Sequence, residues 1–212
     1  PEIPYVTGFR PWQSPNCVLP PAVVSNTLTG MLVTHGFLRG AFMGHSYGTS
    51  WLSYMCKYAP KVMVAAVFLD PICFCLHCPR LTKQFVYHRA DPGSISYMVR
   101  TDVIINWTIQ RSFPWARIAL FTEQIPVPSC VFLSDGDQLV PAELAETYLK
   151  SKGAPVKDFD HADKAHFATG PLNVTVFRGD GHGDWTERGA PTMKVIVDAL
   201  HVLCEKHEQK DR

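Results

Sequence analysis

Between residues 41 and 60 the chain passes from an apolar triplet through a serine flanked by glycines into a helical stretch. Few folds accommodate that succession. Ala41-Phe42-Met43 is apolar, Gly44-His45-Ser46-Tyr47-Gly48 fits G-x-S-x-G in full, and Trp51, Leu52, Met55 and Tyr58 recur at helical spacing until Pro60 stops the segment. A strand that turns directly into a helix brings backbone against backbone and forces the serine into a strained conformation. A β-carbon at either flank would clash there, which is why glycines stand on both sides. The strain points Ser46 Oγ out of the turn and leaves the Tyr47 N–H at the helix start, where it can meet a developing oxyanion. The alternative is a glycine-rich turn in which the serine is a bystander.

The 212 residues suffice for one domain with a sizeable core, and 46% apolar against 18% charged residues is a globular composition. The formal net charge is +1 with no block of Lys or Arg, which argues against nucleic acid and strongly acidic partners. The longest apolar run, Val62 to Leu69, is far shorter than a membrane span. Seven cysteines, an odd number without small-scaffold spacing, favour a reducing, intracellular setting. No signal peptide is visible and the chain opens on Pro1, so it reads as a fragment or processed product, with upstream targeting left open. Asn106-Trp107-Thr108 and Asn173-Val174-Thr175 match the glycosylation sequon, but the second falls in a strand expected to be buried, and both read as chance.

The elements alternate. Pro4–Phe9 reads as an edge strand or the end of one. Residues 22–35 read as a helix with Val24, Leu28, Met31, Leu32 and His35 on one face, and His35-Gly36 as its capped end rather than an oxyanion-type His-Gly loop, because ten residues before Ser46 leave no room for an intervening helix and strand. A strand ending at Ser46, a helix over Tyr47–Tyr58 and a strand over Lys61–Leu69, apolar on both faces, come next. Residues 71–125, rich in aromatics, Cys and Arg, read as helices inserted over the sheet. A strand at Ser129–Leu133, a helix at Pro141–Lys152, a strand at Val174–Phe177 and a helix at 191–206, with Met193, Ile196, Val197, Leu200 and Leu203 inward, complete the pattern. The expectation is an α/β fold on a mostly parallel sheet: one domain over 1–212, its core at 22–70 and 126–206, a cap-like insertion at 71–125.

A serine hydroxyl needs a base, and the base needs an orienting carboxylate. In a parallel sheet such groups collect at the C-terminal ends of the strands. Asp137 follows the strand at Ser129–Leu133 and is the candidate acid. Asp135, before Gly136, reads as a turn residue, and Asp70, at the end of another strand, is the rival acid. His182, between Gly181 and Gly183 after the third of these strands, is the candidate base. His161 and His166 read as loop residues. Cys73-x-Cys75-x-His77-Cys78 lacks paired metal-ligand spacing and is strongly apolar, so it reads as a pocket wall or membrane-facing surface rather than a metal site. Leu76, Phe85, Tyr87, Tyr97, Trp107, Phe113 and Trp115 either line an acyl pocket or pack the insertion onto the sheet. His45, Phe74, Trp107 and Trp185 are candidate substrate contacts.

Gly44-His45-Ser46-Tyr47-Gly48, Asp137-x-x-Val140-Pro141 and Gly181-His182-Gly183 together resemble the α/β-hydrolase superfamily over most of residues 22–206, and Phe68-Leu69-Asp70-Pro71 with the aromatic insertion resembles a lipase- or esterase-like branch. The resemblance implies Ser46 as nucleophile, His182 as base, Asp137 as orienting acid, an acyl-enzyme intermediate, and neither cofactor nor metal. It implies a small-molecule or lipid ester as partner, with peripheral membrane association possible and no obligate protein partner. A departure stands at the N-terminus. Only about 45 residues precede Ser46, so the expectation is that the superfamily's first strands are missing from this sequence and its second oxyanion donor is not identifiable in it. One lost donor costs ~2.7–4 kcal/mol. A non-catalytic binding or scaffold protein and an acyltransferase using the same triad are the other expectations.

Overall fold

The computed structural model describes residues 18–87, 91–93, 97, 100–159, 171–187 and 190–210. Pro4–Phe9, His161 and His166 lie outside the described residues. In chain order the elements are α1 (Pro21–Thr34), β1 (Gly40–His45), α2 (Gly48–Tyr58), β2 (Met63–Leu69), α3 (Pro79–Tyr87), α4 (Val103–Arg111), α5 (Trp115–Ile118), β3 (Ser129–Ser134), α6 (Ala142–Ser151), β4 (Val156–Asp158), β5 (Leu172–Phe177) and α7 (Pro191–Lys210). Short 3₁₀ turns occupy Pro60–Val62, Thr122–Gln124 and Asp184–Thr186.

The strands form one parallel sheet in the order β1-β2-β3-β5-β4. Each strand of the centre is apolar on both faces, as a sheet covered by helices on both sides requires. Ala66 and Phe68 of β2, Val131 and Leu133 of β3 and Val174 and Val176 of β5 point into the core shared with α1, α2 and α6. Ala65, Val67 and Leu69, Cys130 and Phe132, and Phe177 point to the other face, which α7 covers with Val195, Ile196, Ala199 and Leu203. The period of two puts neighbouring residues of one strand into opposite cores.

Helix ends follow the local chemistry. α1 ends as the His35-Gly36 reading expects: Gly36 has φ +82°, its N–H donates to Val33 O at 3.0 Å, and Phe37 N–H donates to Leu32 O at 2.9 Å. Those paired bonds satisfy carbonyls that the helix end would leave open. α6 closes the same way at Gly153, φ +80°, with Gly153 N–H on Lys150 O and Ala154 N–H on Leu149 O. Glu143 in its first turn and Lys150 in its last complement the helix dipole.

Four expectations need correction. β4 was not expected: Val156-Lys157-Asp158 is short, and Lys157 and Asp158 are exposed, so no apolar alternation announces it. The inward face of α7 is rotated, with Met193 and Val197 exposed and Thr192, Val195 and Ala199 buried in their place. Met31 of α1 is likewise exposed. In the Cys73–Cys78 stretch, read as pocket wall or membrane-facing surface, Cys73, Phe74, Cys75 and Leu76 are all buried, while His77 is exposed and Cys78 half-buried. Cys73 O accepts the Leu120 N–H at 2.9 Å, so the first four residues are core within the insertion. Burial pushes the Cys75 thiol up to about 12 and raises that of Cys73 as well, which makes both inert packing groups.

The insertion is tied to the helix that follows Ser46. Lys57 of α2 donates from Nζ to Arg117 O at 2.9 Å and Ala119 O at 2.5 Å, capping the end of α5, and the Tyr47 ring meets Phe113 at 5.5 Å between centroids. Leu76 and Phe113 are packed into the core, whereas Tyr87, Tyr97 and Trp107 are exposed. No helix among the described residues is long and apolar enough to cross a membrane.

Candidate active site

Because all strands are parallel, every C-terminal end opens on the same edge of the sheet, and four loops meet there. The ladder carries each strand one residue further. Ser46 N–H donates to Leu69 O at 2.9 Å, Asp70 N–H to Phe132 O at 2.9 Å, and Asp135 N–H to Phe177 O at 3.2 Å. The loops therefore start from fixed, mutually bonded positions.

Ser46 stands between β1 and α2 with φ +50°. A β-carbon on Gly44 would come within 2.8 Å of Gly48 O, so strand and helix touch at that point and only glycine fits, whereas a β-carbon on Gly48 would meet nothing within 4 Å and the clash expected at that flank does not arise. Thr49, fully buried, fastens the turn: its N–H and Oγ1 both donate to Ser46 O, at 3.0 and 2.6 Å, and Oγ1 accepts the Ile72 N–H at 3.2 Å. Tyr47 is the N-cap of α2 in helical conformation, φ −58° and ψ −31°, so its amide belongs to the positive end of the helix.

Asp137 and His182 meet directly. His182 Nδ1 lies 2.6 Å from Asp137 Oδ2, while Asp137 Oδ1 accepts the N–H groups of Leu139 at 2.7 Å and Val140 at 2.9 Å. One oxygen is thus pinned by backbone and the other presented to the imidazole. Burial works to lower the His182 pKa, but the hydrogen bond and charge of Asp137, with the charges of Asp70 and Asp184, outweigh it and hold the imidazole above its ordinary range. With Nδ1 committed to the carboxylate, Nε2 is the nitrogen left for proton exchange.

The two loops are joined by backbone contact. Gly136 N–H donates to Asp180 O at 2.9 Å, and a β-carbon on Gly136 would come within 2.8 Å of that oxygen. Asp135 is the turn residue expected, and its Oδ1 accepts the Gly179 N–H at 2.6 Å. Asp184 Oδ2 accepts the Gly181 N–H at 2.6 Å and closes the turn around His182.

Of the candidate substrate contacts, His45 lies against His182, with ring centroids 4.8 Å apart. Trp185 is buried, meets the His45 ring edge-on and donates from Nε1 to Asp70 Oδ2 at 3.3 Å. Phe74 is fully buried between Phe68 and Tyr148, and Trp107 sits on α4, 40% exposed. His45, Asp70 and His182 bring ligand-type atoms within 4.8 Å of one another. Asp70 Oδ2 already accepts Gly183 N–H and Trp185 Nε1–H, so its carboxylate is filled from outside the trio, and His45 Nε2 faces it at 3.6 Å without a hydrogen bond. Thr49 and Trp185 in these supporting roles were not legible in the sequence. A buried threonine in a helix and a tryptophan in a loop carry no motif.

No protein-family model matches the chain, and no curated protein matches it in sequence. Solved structures do match. A meta-cleavage product hydrolase superposes with a TM-score of 0.60 at 12% identity, covering 93% of this chain and 76% of the other. The fold is that of the α/β-hydrolases. This α/β-hydrolase architecture is shared with a monoacylglycerol lipase from Paleococcus ferrophilus (TM-score 0.53, 12% identity, 89% of this chain and 76% of that one). It is shared as well with a thermophilic esterase from Thermogutta terrifontis (TM-score 0.52, 14% identity, 93% of this chain and 78% of that one).

Proposed function

We propose that this chain is a serine hydrolase that cleaves a carboxylic ester with a hydrophobic acyl or alcohol part, using Ser46, His182 and Asp137. The observation that carries this reading is the 2.6 Å contact between His182 Nδ1 and the backbone-pinned Asp137 carboxylate, on the same sheet edge as a serine held at φ +50°. An imidazole held at Nδ1 by a fixed carboxylate is an oriented base, and a strained serine on a tight turn is a presented nucleophile. The chemistry follows from those two groups. His182 Nε2 takes the Ser46 hydroxyl proton as Oγ bonds to the ester carbonyl carbon, and the Tyr47 N–H holds the resulting oxyanion. The tetrahedral intermediate collapses, and the alcohol leaves with the proton from His182. Water then attacks the acyl-enzyme, passing a proton to His182. The carboxylic acid departs as that proton returns to Ser46.

The structural neighbours named above include an esterase and a lipase, which supports ester substrates as the first to try. The aromatic insertion, joined to the serine turn through Tyr47 and Phe113, supports an apolar substrate part. The test is turnover of nitrophenyl esters of increasing acyl length by the wild type and Ser46→Ala. The reading expects hydrolysis by the wild type, with a burst of nitrophenol, and background rates from the variant. Equal rates for both proteins would overturn it.

A further inference from the structure

The reaction just proposed assigns no task to Asp70, yet no other carboxylate is placed like it among the described residues. Asp70 ends β2 with φ +41°, and it and Ser46 are the only non-glycine residues with positive φ among those described. Such a conformation costs an ordinary residue about 1–3 kcal/mol and persists only where its surroundings hold it. The residue is 2% exposed. Its Oδ1 accepts the Ser134 N–H at 3.0 Å, at the end of β3. Its Oδ2 accepts the Gly183 N–H at 3.0 Å and Trp185 Nε1–H at 3.3 Å, both on the loop that carries His182, and faces His45 Nε2 at 3.6 Å, beside Ser46.

We infer that Asp70 is a positioning residue for His182: its buried carboxylate anchors the histidine loop to the ends of β2 and β3 and keeps a fixed negative charge beside the imidazole that must carry a proton during the reaction. This rests on the assignment of His182 as the base. A buried carboxylate survives only if its partners stabilise the charged form. Burial raises the Asp70 pKa, but His45, the Ser134 N–H, the charge of His182 and the Gly183 N–H together hold it below the ordinary carboxylate value, so the charge is permanent at neutral pH. The groups that face His182 are then Asp137 on the β3 loop, Asp70 at the end of β2, Asp184 on its own loop and His45 at the end of β1. Asp137 sets the orientation through Nδ1. Asp70 acts on the adjacent residue, since the Gly183 amide it binds is the next in the chain.

The mechanism predicts an asymmetric response to Asp70→Asn. The amide keeps size and shape but loses the charge, and its NH₂ must face either the Ser134 N–H or the Gly183 N–H, donor against donor. The His182 pKa should fall, measured by NMR titration of its Cε1–H and assigned with His182→Gln. That readout needs no activity, so it separates a failure of this inference from a failure of the hydrolase reading. The rate of fluorophosphonate labelling at its alkaline plateau should drop by about ten- to a hundredfold, the factor carried by one lost hydrogen bond to a charged group. The acid limb of that labelling should move to lower pH. Trp185→Phe keeps the ring and removes one donor, leaving the Asp70 charge less neutralised; it should move the His182 pKa the other way and is the milder variant should Asp70→Asn fail to fold. A merely structural Asp70 would lower the melting temperature and leave the His182 titration and the acid limb where they are in both variants. That result would overturn the inference.

Discussion

His182 is held between two opposing influences, and the balance has a sign that can be measured. Burial favours the neutral imidazole, and the carboxylates of Asp137, Asp70 and Asp184 favour the protonated one and prevail, so the pKa stands above the ordinary 6.5. In the proposed reaction His182 is the base and must be neutral to act, so the rate of Ser46 modification should rise with pH through a midpoint above 6.5. The linkage runs the other way for stability. A raised histidine pKa contributes stability that is fully present below 6.5 and is lost as pH rises through the folded-state value. In Asp137→Asn the largest opposing influence is gone, so the midpoint should move down, and reactivity should fall by about 10³–10⁴ as the imidazole loses its tautomer and orientation. A pH profile of labelling checks both, and an unchanged midpoint would show that Asp137 does not set the proton affinity of His182. Of these residues the sequence exposed Ser46, Asp137 and His182, because glycines and strand ends mark them. Asp70 was legible only as a rival acid. Its contacts come from Ser134, Gly183 and Trp185, separated from it by 64 to 115 positions, and no local pattern encodes that convergence.

At the scale of elements, the junction of β1 and α2 has no slack. Gly44 faces Gly48 O and the Leu52 side chain so closely that a β-carbon would sit 2.8 and 2.9 Å from them. Gly44→Ala must therefore push strand and helix apart. Overpacking of this kind costs about 1–3 kcal/mol, or a loss of roughly 2–4 °C in melting temperature per kcal/mol for a chain of this size. The same displacement moves Ser46, so labelling should fall further than stability explains. A thermal melt paired with a labelling rate makes the comparison, and a variant with wild-type values in both would show that the junction is looser than this geometry. The strand–turn–helix succession was readable because its apolar period switches from strand to helix within a few residues. β4 was not, because three residues with two of them exposed give pairing to β5 without any burial signal. The face of α7 was misread by a rotation. Met193 and Val197 are apolar enough to claim a core position, but the surface of β2 and β3 accepts Val195, Ile196, Ala199 and Leu203 instead.

For the whole molecule, parallel pairing is what converts four separate loops into one site. Among the described residues, five strands in the order β1-β2-β3-β5-β4 point the same way, so residues from positions 45 to 185 arrive at one edge. The alternation of strands with helices made the parallel sheet legible, and the strand-end rule then picked out where chemistry belongs. The insertion between β2 and β3 was legible as helical, but the division of its apolar side chains was not: Leu76 and Phe113 are packed inward while Tyr87 and Trp107 face out, and the Phe113 ring contacts with Tyr47 and Trp115 are not encoded in composition. The central claim is that this edge holds an activated serine, and covalent labelling reads it most directly. The protein should be treated with a fluorophosphonate probe and its peptides mapped by mass spectrometry, alongside Ser46→Ala and a circular dichroism spectrum of each. A single adduct is expected on the peptide that carries Ser46, and none in the variant. A folded wild-type protein that takes no label, or labels equally with Ser46 replaced, would contradict it.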